Sequence, residues 1–353
     1  MNKLKTIGLS ALAGSMVLTS ANAVDYTVTG DAAASYTGEH SNTSIGGEGV
    51  ALDTTIYMNA TGSLDNGWDV GYVLNLDNAT GGVANTSAQG AVTMGSMGTV
   101  QINQIGGSAV NAIDDVTPSA WEEVYGMGTL TTGTATNLAG GDAGFFGSSV
   151  NSGSIQYTTP AIDMMGTTVS ASLVFDPNAN IGSTTHKSIN GGETGMGYVV
   201  KMDHESGLSI GAGMEEIDSD GLTGVTAGRQ SNDETSVTVY GKYAYGPVSL
   251  GYQESYQDTL DGGRDLEAEM YSVAYTSGDV SVSFGETEVT TKGLGIVGSQ
   301  ITDGDAIAVS YTMGSMTIQL QRSEQTRATK ATPTSVPTNV TMDETGIKVG
   351  FAF

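Results

Sequence analysis

Apolar and polar residues alternate along most of the chain, and the last eleven residues give the clearest example. One face of that segment carries Thr345, Ile347, Val349, Phe351 and Phe353, and the other carries Gly346, Lys348, Gly350 and Ala352. A period of two is typical of a β-strand with one apolar side. The same period recurs near the start, where Tyr26, Val28, Ala32, Ala34 and Tyr36 alternate with Thr27, Thr29, Asp31 and Ser35. The pattern predicts an all-β protein with strands of about ten residues.

The connections between the predicted strands alternate in length. Every second connection is a short turn, as at residues 65–67 and 160–166. In the first of these, Asn66-Gly67 supplies the positive φ angles of a tight hairpin. Long polar connections follow the other end, at about residues 37–50, 78–87, 105–151, 177–192, 217–233, 257–264, 287–302 and 323–342. This alternation indicates an antiparallel up-and-down barrel. The predicted count is sixteen strands, with both termini on the short-turn side.

The beginning of the chain has the pattern of an export signal. Lys3 and Lys5 precede an apolar stretch from Ile7 to Leu18, and Ala21-Asn22-Ala23 has the spacing of a cleavage site. We therefore expect residues 1–23 to be a signal peptide and residues 24–353 to form a single barrel domain. No later segment reaches about 18 uninterrupted apolar residues, so no transmembrane helix is predicted. The chain has no Cys, which excludes disulfides and thiolate chemistry.

The last strand, which has one apolar face, ends in the aromatic residue Phe353, and this is also a feature of a known family. With Phe353 in this position the chain resembles the outer-membrane β-barrel proteins of Gram-negative bacteria, and over residues 24–353 it resembles their trimeric general diffusion porins. The resemblance implies a transmembrane barrel in the cell outer membrane, in contact with lipid and lipopolysaccharide. It also implies a homotrimer and recognition of Phe353 by the barrel-insertion machinery. The alternative is a soluble β-sandwich, which would bury the apolar faces between two sheets.

The connection at about residues 105–151 is far longer than an ordinary hairpin loop. In the porins that this chain resembles, the third extracellular loop folds into the lumen and narrows it, and this connection is the third. The resulting candidates for a constriction are Asp114, Asp115, Trp121, Glu122, Glu123, Tyr125 and Asp142. Carboxylates at a narrow point would concentrate cations and oppose anions, because little water remains there to screen them. A solvated external loop is the alternative interpretation.

The charge of the chain bears on its partners. The formal net charge is −26, and loss of Lys3 and Lys5 with the signal peptide would make it −26 − 2 = −28. Such a surface repels polyanions, which excludes nucleic acid as a partner. Family porins usually face the third loop with a ladder of Arg and Lys, and this sequence departs from that pattern. The candidates for the pore wall are Asp31, Asp53, Tyr57, Lys201, Lys242 and Lys348.

No catalytic motif stands out, so the sequence does not predict an enzyme. His40, His186 and His204 lack metal-ligand spacing, and the segment that starts at Asp218 lacks the later ligands of an EF-hand. We therefore predict no cofactor, with Ca²⁺ in the acidic loops as an open alternative. The expected function is a water-filled channel for passive diffusion of small hydrophilic solutes and ions, with a preference for cations. A substrate-specific channel and an acidic surface or adhesin protein without a pore remain the alternatives.

Overall fold

The computed structural model describes residues 24–41, 47–79, 82–114, 116–121, 150, 153–179, 193–218, 234–258, 264–293, 299–329 and 339–353. These residues form seventeen strand segments and two short 3-10 turns. The strands are β1 (Asp25–Ser41), β2 (Gly47–Ser63), β3 (Asp69–Ala79), β4 (Gly82–Thr93), β5 (Thr99–Ile105), β6 (Ser154–Thr158), β7 (Ile162–Met164), β8 (Thr167–Ala179), β9 (Glu193–His204), β10 (Leu208–Asp218), β11 (Glu234–Tyr245), β12 (Val248–Asp258), β13 (Arg264–Ser277), β14 (Val280–Gly293), β15 (Ser299–Met313), β16 (Met316–Thr329) and β17 (Asn339–Ala352).

The strands close into one antiparallel barrel. Apart from β6 and β7, strands that are neighbours along the chain pair with each other, and β1 pairs with both β2 and β17. The segments β6 and β7 both pair with β8, so they share one position in the wall. The barrel therefore has sixteen strand positions, as the alternating turns and loops predict. Closure stabilises such a sheet because it leaves no strand edge with unpaired backbone groups.

The sixth position differs from the sequence prediction, which placed one turn over residues 160–166. The chain instead resumes pairing at Ile162–Met164 and turns only at Met165 and Gly166, which have φ angles of 51° and 76°. The interruption between β6 and β7 contains Pro160, which has no N–H to donate to the ladder. The proline therefore breaks a strand rather than forming the turn.

The first strand meets the last residue on the short-turn side of the barrel. The N–H of Phe353 donates to the carbonyl of Gly30 over 2.8 Å, and the N–H of Gly30 donates back to Phe353 over 2.7 Å. The Phe353 ring lies so close to Gly30 that a Cβ there would come within 2.8 Å of Cε2. Glycine at position 30 thus allows the last residue to pack against the first strand.

Each strand has one outward face and one face toward the lumen. Many of the outward residues are large, apolar and solvent-accessible, with exposed fractions such as 52% for Tyr26, 56% for Val28 and 49% for Phe351. Because they lie on the outside of a single closed sheet, the soluble sandwich with a buried apolar face is excluded. Among the described residues, no helix is long and apolar enough to cross a membrane.

Candidate functional site

The chain turns inward directly after β5. Gly106 and Gly107 have φ angles of 61° and 78°, which L side chains rarely adopt, and the Nε2 of Gln101 donates to the Gly107 carbonyl over 2.9 Å. A short 3-10 turn follows at Asn111–Ile113. The described part of the long connection, residues 106–114 and 116–121, therefore begins along the lumen side of the wall. We call these residues the inner loop.

The inner loop follows the wall from β6 to β16 and is held by side chains of the lumen face. Its backbone contacts advance strand by strand in chain order. Three backbone N–H groups donate to the wall: Ala109 to Gln156 on β6 over 2.7 Å, Val116 to Gln253 on β12 over 3.1 Å, and Ala120 to Ser283 on β14 over 2.8 Å. Two wall side chains donate to carbonyls of the loop: Ser272 on β13 to Pro118 over 2.7 Å, and Gln319 on β16 to Ala120 over 3.2 Å. About a dozen residues thus span roughly half the lumen circumference.

Gln253 on β12 makes three hydrogen bonds to the inner loop. Its Oε1 accepts from Val116, and its Nε2 donates to the Ile113 carbonyl over 3.2 Å and to the Asp114 carbonyl. The same nitrogen also lies 3.2 Å from the Thr238 hydroxyl, and the side chain is only 1% exposed. A primary amide suits this position because it has both donors and acceptors for a passing backbone.

A small apolar cluster fixes the start and the return of the long connection to the wall. Val110 and Ile113 come from the inner loop, Val150 comes from the returning segment, and the wall supplies Val174, Val199 and Tyr240. Gly197 on β9 makes room for this contact, since a Cβ there would lie 2.7 Å from Val110 Cγ1. The N–H of Val150 also donates to Glu215 on β10 over 3.3 Å. Burial of these side chains stabilises the loop on the wall, at about 25 cal/mol per Å² of apolar area.

Three of the predicted wall residues lie together on β1 and β2. The hydroxyl of Tyr57 donates to Asp31 Oδ2 over 2.6 Å. Asp77 on β3 lies against Asp53 and near Asp31, which adds a third carboxylate to the group. Asp77 was not among the predicted wall residues, because a period of two assigns a residue to a face without showing which residues of that face come together. We call Asp31, Asp53, Asp77 and Tyr57 the acidic wall.

Two of the three predicted lysines lie across the lumen from the acidic wall. Lys201 is on β9, where its amine approaches the Ala112 carbonyl at 3.5 Å, and the charges of Asp203 and Lys242 act on it. Lys242 is on β11. When β6 and β7 are counted as one position, β2 is in position 2 of the wall and β11 is in position 10, so β11 lies half-way around the sixteen positions from β2. Lys348 lies instead beside the acidic wall, in register with Ser35 on β1.

The predicted constriction residues fall partly within the described residues. Asp114 accepts from Asn111 Nδ2 over 2.9 Å, and the Trp121 N–H donates to Ser119 over 3.2 Å, so both belong to the inner loop. Asp115, Glu122, Glu123, Tyr125 and Asp142 lie outside the described residues. The acidic stretch considered for Ca²⁺ continues from Asp218 into residues that are likewise outside. Within the described ranges, no group of three His, Asp or Glu side chains could hold a metal ion.

Comparisons with known proteins agree with this architecture. A family model described as Gram-negative porin matches residues 8–317. None of the curated proteins matches the sequence.

Several solved outer-membrane proteins share the fold. A loop-deletion mutant of OmpT, an outer membrane protein of Vibrio cholerae, is 11% identical with a TM-score of 0.63, over 93% of this chain and 99% of that chain. The in-vitro folded trimer form of V. cholerae OmpT is also 11% identical, with a TM-score of 0.60 over 95% and 100%. A mutant of the Rh. blastica porin is 14% identical, with a TM-score of 0.53 over 93% and 100%.

Proposed function

The chain belongs to the Gram-negative porin family, and from this we propose that it forms a water-filled channel for passive diffusion of small hydrophilic solutes and ions, with a preference for cations. The family and the barrel fold support an outer-membrane channel protein rather than an enzyme. Export through a signal peptide at residues 1–23 is part of the proposal. Lipid and lipopolysaccharide would surround the apolar outer face.

The observation that carries the proposal is the path of the inner loop. A polypeptide that is hydrogen-bonded to the lumen face of β6, β12, β14 and β16 reduces the cross-section left for solutes. Selection by size would therefore occur beside the inner loop, at the depth of Gln253. The loop is fixed by buried bonds, so the opening would be largely preformed rather than assembled around each solute.

The charges of the lumen support a preference for cations. The acidic wall places Asp31, Asp53 and Asp77 on three neighbouring strands, where each carboxylate raises the local concentration of cations. On the opposite side, Lys201 has its amine directed to the Ala112 carbonyl. The overall charge of −26 favours cations at the channel entrances as well.

The test is the current through purified protein in a planar bilayer under a KCl gradient. We expect stable ion conductance, and we expect the dilute side to become positive because K⁺ crosses faster than Cl⁻. Asp53→Asn should reduce this potential. Asp343→Asn, which removes the same charge from the outward face of β17, should leave it nearly unchanged. A negative dilute side would contradict cation preference, and a silent bilayer would contradict the channel itself.

Two assembly steps complete the proposal. The V. cholerae OmpT trimer form and the small outward residues Gly30, Ala32 and Ala34 on β1 support a homotrimer, because small side chains let neighbouring barrels approach. Light scattering in detergent would give the mass of the assembly, and a monomer would refute it. Phe353 would be the residue that the insertion machinery recognises.

A further inference from the structure

Two glutamates face each other inside the barrel where its first and last strands meet. Glu39 on β1 and Glu344 on β17 are direct partners in the register. Their sequence neighbours His40 and Asp343 are also paired with each other, but on the outward face. The last large apolar outward residues of these strands are Tyr36 and Ile347, so the glutamates lie beyond the apolar band, on the side of the long loops.

Within the described part of the chain, the Glu344 carboxylate is buried and the Glu39 carboxylate is half-buried, and neither has a compensating donor at its buried oxygens. Glu344 is 3% exposed, and neither of its oxygens has a hydrogen-bond partner among the described residues. Within the same part of the chain, the buried Oε1 of Glu39 lacks a partner as well. In the same row of the sheet, the neighbours are Ser323 on β16 and Gly47 on β2, neither of which is basic.

This arrangement is unfavourable for bare anions. A buried ionised carboxylate without a donor costs several kcal/mol, and like charges directly opposite each other in a sheet destabilise it further. A divalent cation would remove both costs, because its charge balances two carboxylates. Ca²⁺ prefers oxygen ligands and accepts carboxylates, hydroxyls, backbone carbonyls and water in a flexible geometry.

We propose that Glu39 and Glu344 bind Ca²⁺ at the loop end of the contact between β1 and β17. Ser323 lies in the same row of the sheet. Its hydroxyl and water would complete the coordination, since no third acidic or histidine side chain in the described part joins the pair. The ion would tie the first strand to the last. It would do so at the opposite end of the strands from the contact between Gly30 and Phe353.

Calcium titration of the purified protein in detergent tests this site. After EDTA treatment, isothermal titration should detect one bound Ca²⁺ per chain that is lost in Glu344→Gln and in Glu39→Gln. Asp343→Asn removes a carboxylate from the adjacent, outward position and should retain that ion. Equal Ca²⁺ stoichiometry in wild type and both glutamine variants would overturn the proposal.

Thermal unfolding supplies a second measurement on the same proteins. Ca²⁺ should raise the melting temperature of the wild type and of Asp343→Asn, because a ligand that binds only the folded state stabilises it. It should not raise that of Glu344→Gln, whose melting temperature in EDTA should already exceed the wild-type value. If Ca²⁺ shifts the melting temperatures of wild type and Glu344→Gln equally, the pair does not bind the ion and the proposal is overturned. Binding rather than current is measured, so a negative result leaves the proposed channel unaffected.

Discussion

Replacing Gln253 by leucine should release the inner loop while leaving the barrel intact. The substitution keeps a side chain of similar volume but removes the acceptor for Val116 and the donor to Ile113 and Asp114. Because the position is 1% exposed, water cannot readily replace these bonds. The strand ladders of β12 do not use the side chain, so they persist.

The expected size of the effect follows from the groups that lose their partners. A buried backbone N–H or carbonyl without a hydrogen bond costs about 1–3 kcal/mol. The Val116 N–H and the Ile113 carbonyl alone therefore weaken the attachment of the loop by roughly 3 kcal/mol. Since about 1.4 kcal/mol corresponds to a tenfold change, the population with a detached loop should rise on the order of a hundredfold.

Single-channel recording and hydrogen exchange together measure this change. Gln253→Leu should give a larger or noisier conductance and faster exchange of the Val116 and Ala120 amides, with a nearly unchanged melting temperature. Gln257→Leu is the matched control, because Gln257 lies on the same strand and face but donates to Glu234 instead of the loop. Wild-type current and wild-type protection in Gln253→Leu would refute the conclusion that this residue anchors the loop.

Three further changes test other parts of the structure. Glu269→Gln should raise the melting temperature in low salt, because a carboxylate lies directly opposite Glu269 on each neighbouring strand and each pair costs about 0.2–1 kcal/mol of repulsion. Calorimetry should show that high salt abolishes the difference in melting temperature between variant and wild type. Gly30→Val should slow refolding into detergent, measured by gel mobility without heating, because its Cβ meets the Phe353 ring; wild-type kinetics would contradict this packing. Deletion of Phe353 should lower the melting temperature through loss of its two backbone bonds to Gly30, and an unchanged value would show that they contribute nothing.

Most of the barrel could be predicted because its rules are local. A period of two determines which residues face outward. Short turns can be recognised from glycines that adopt positive φ angles, as at Gly67, Gly207 and Gly278. The break in the strand at Pro160 could also have been predicted from the sequence, since proline cannot donate a hydrogen bond to a strand ladder. It was missed because the short segment Ile162–Met164 was too brief to show a pattern of its own.

The path of the inner loop could not be predicted from local rules, because it depends on which distant strands meet across the lumen. Gln253 looks like any polar residue of a lumen face until the loop is seen to cross it. A usable signal did exist in Val174 and Val199, which are apolar residues at lumen positions and are fully buried or nearly so. Exposure of an apolar side chain to water in the lumen is unfavourable unless another segment covers it. Such a residue therefore indicates where a loop packs against the wall.

The loop and the charges together suggest where ions travel. The described bonds of the inner loop are to strands from β5 to β16, and they bring backbone up to the Lys201 side of the lumen. The acidic wall lies on β1, β2 and β3, on the other side. A loop attached over Lys201 would direct ions toward the carboxylates. Tyr57 holds Asp31 in a fixed position there by hydrogen bonding. Cation preference would then arise from which wall the loop covers, more than from the total number of acidic residues.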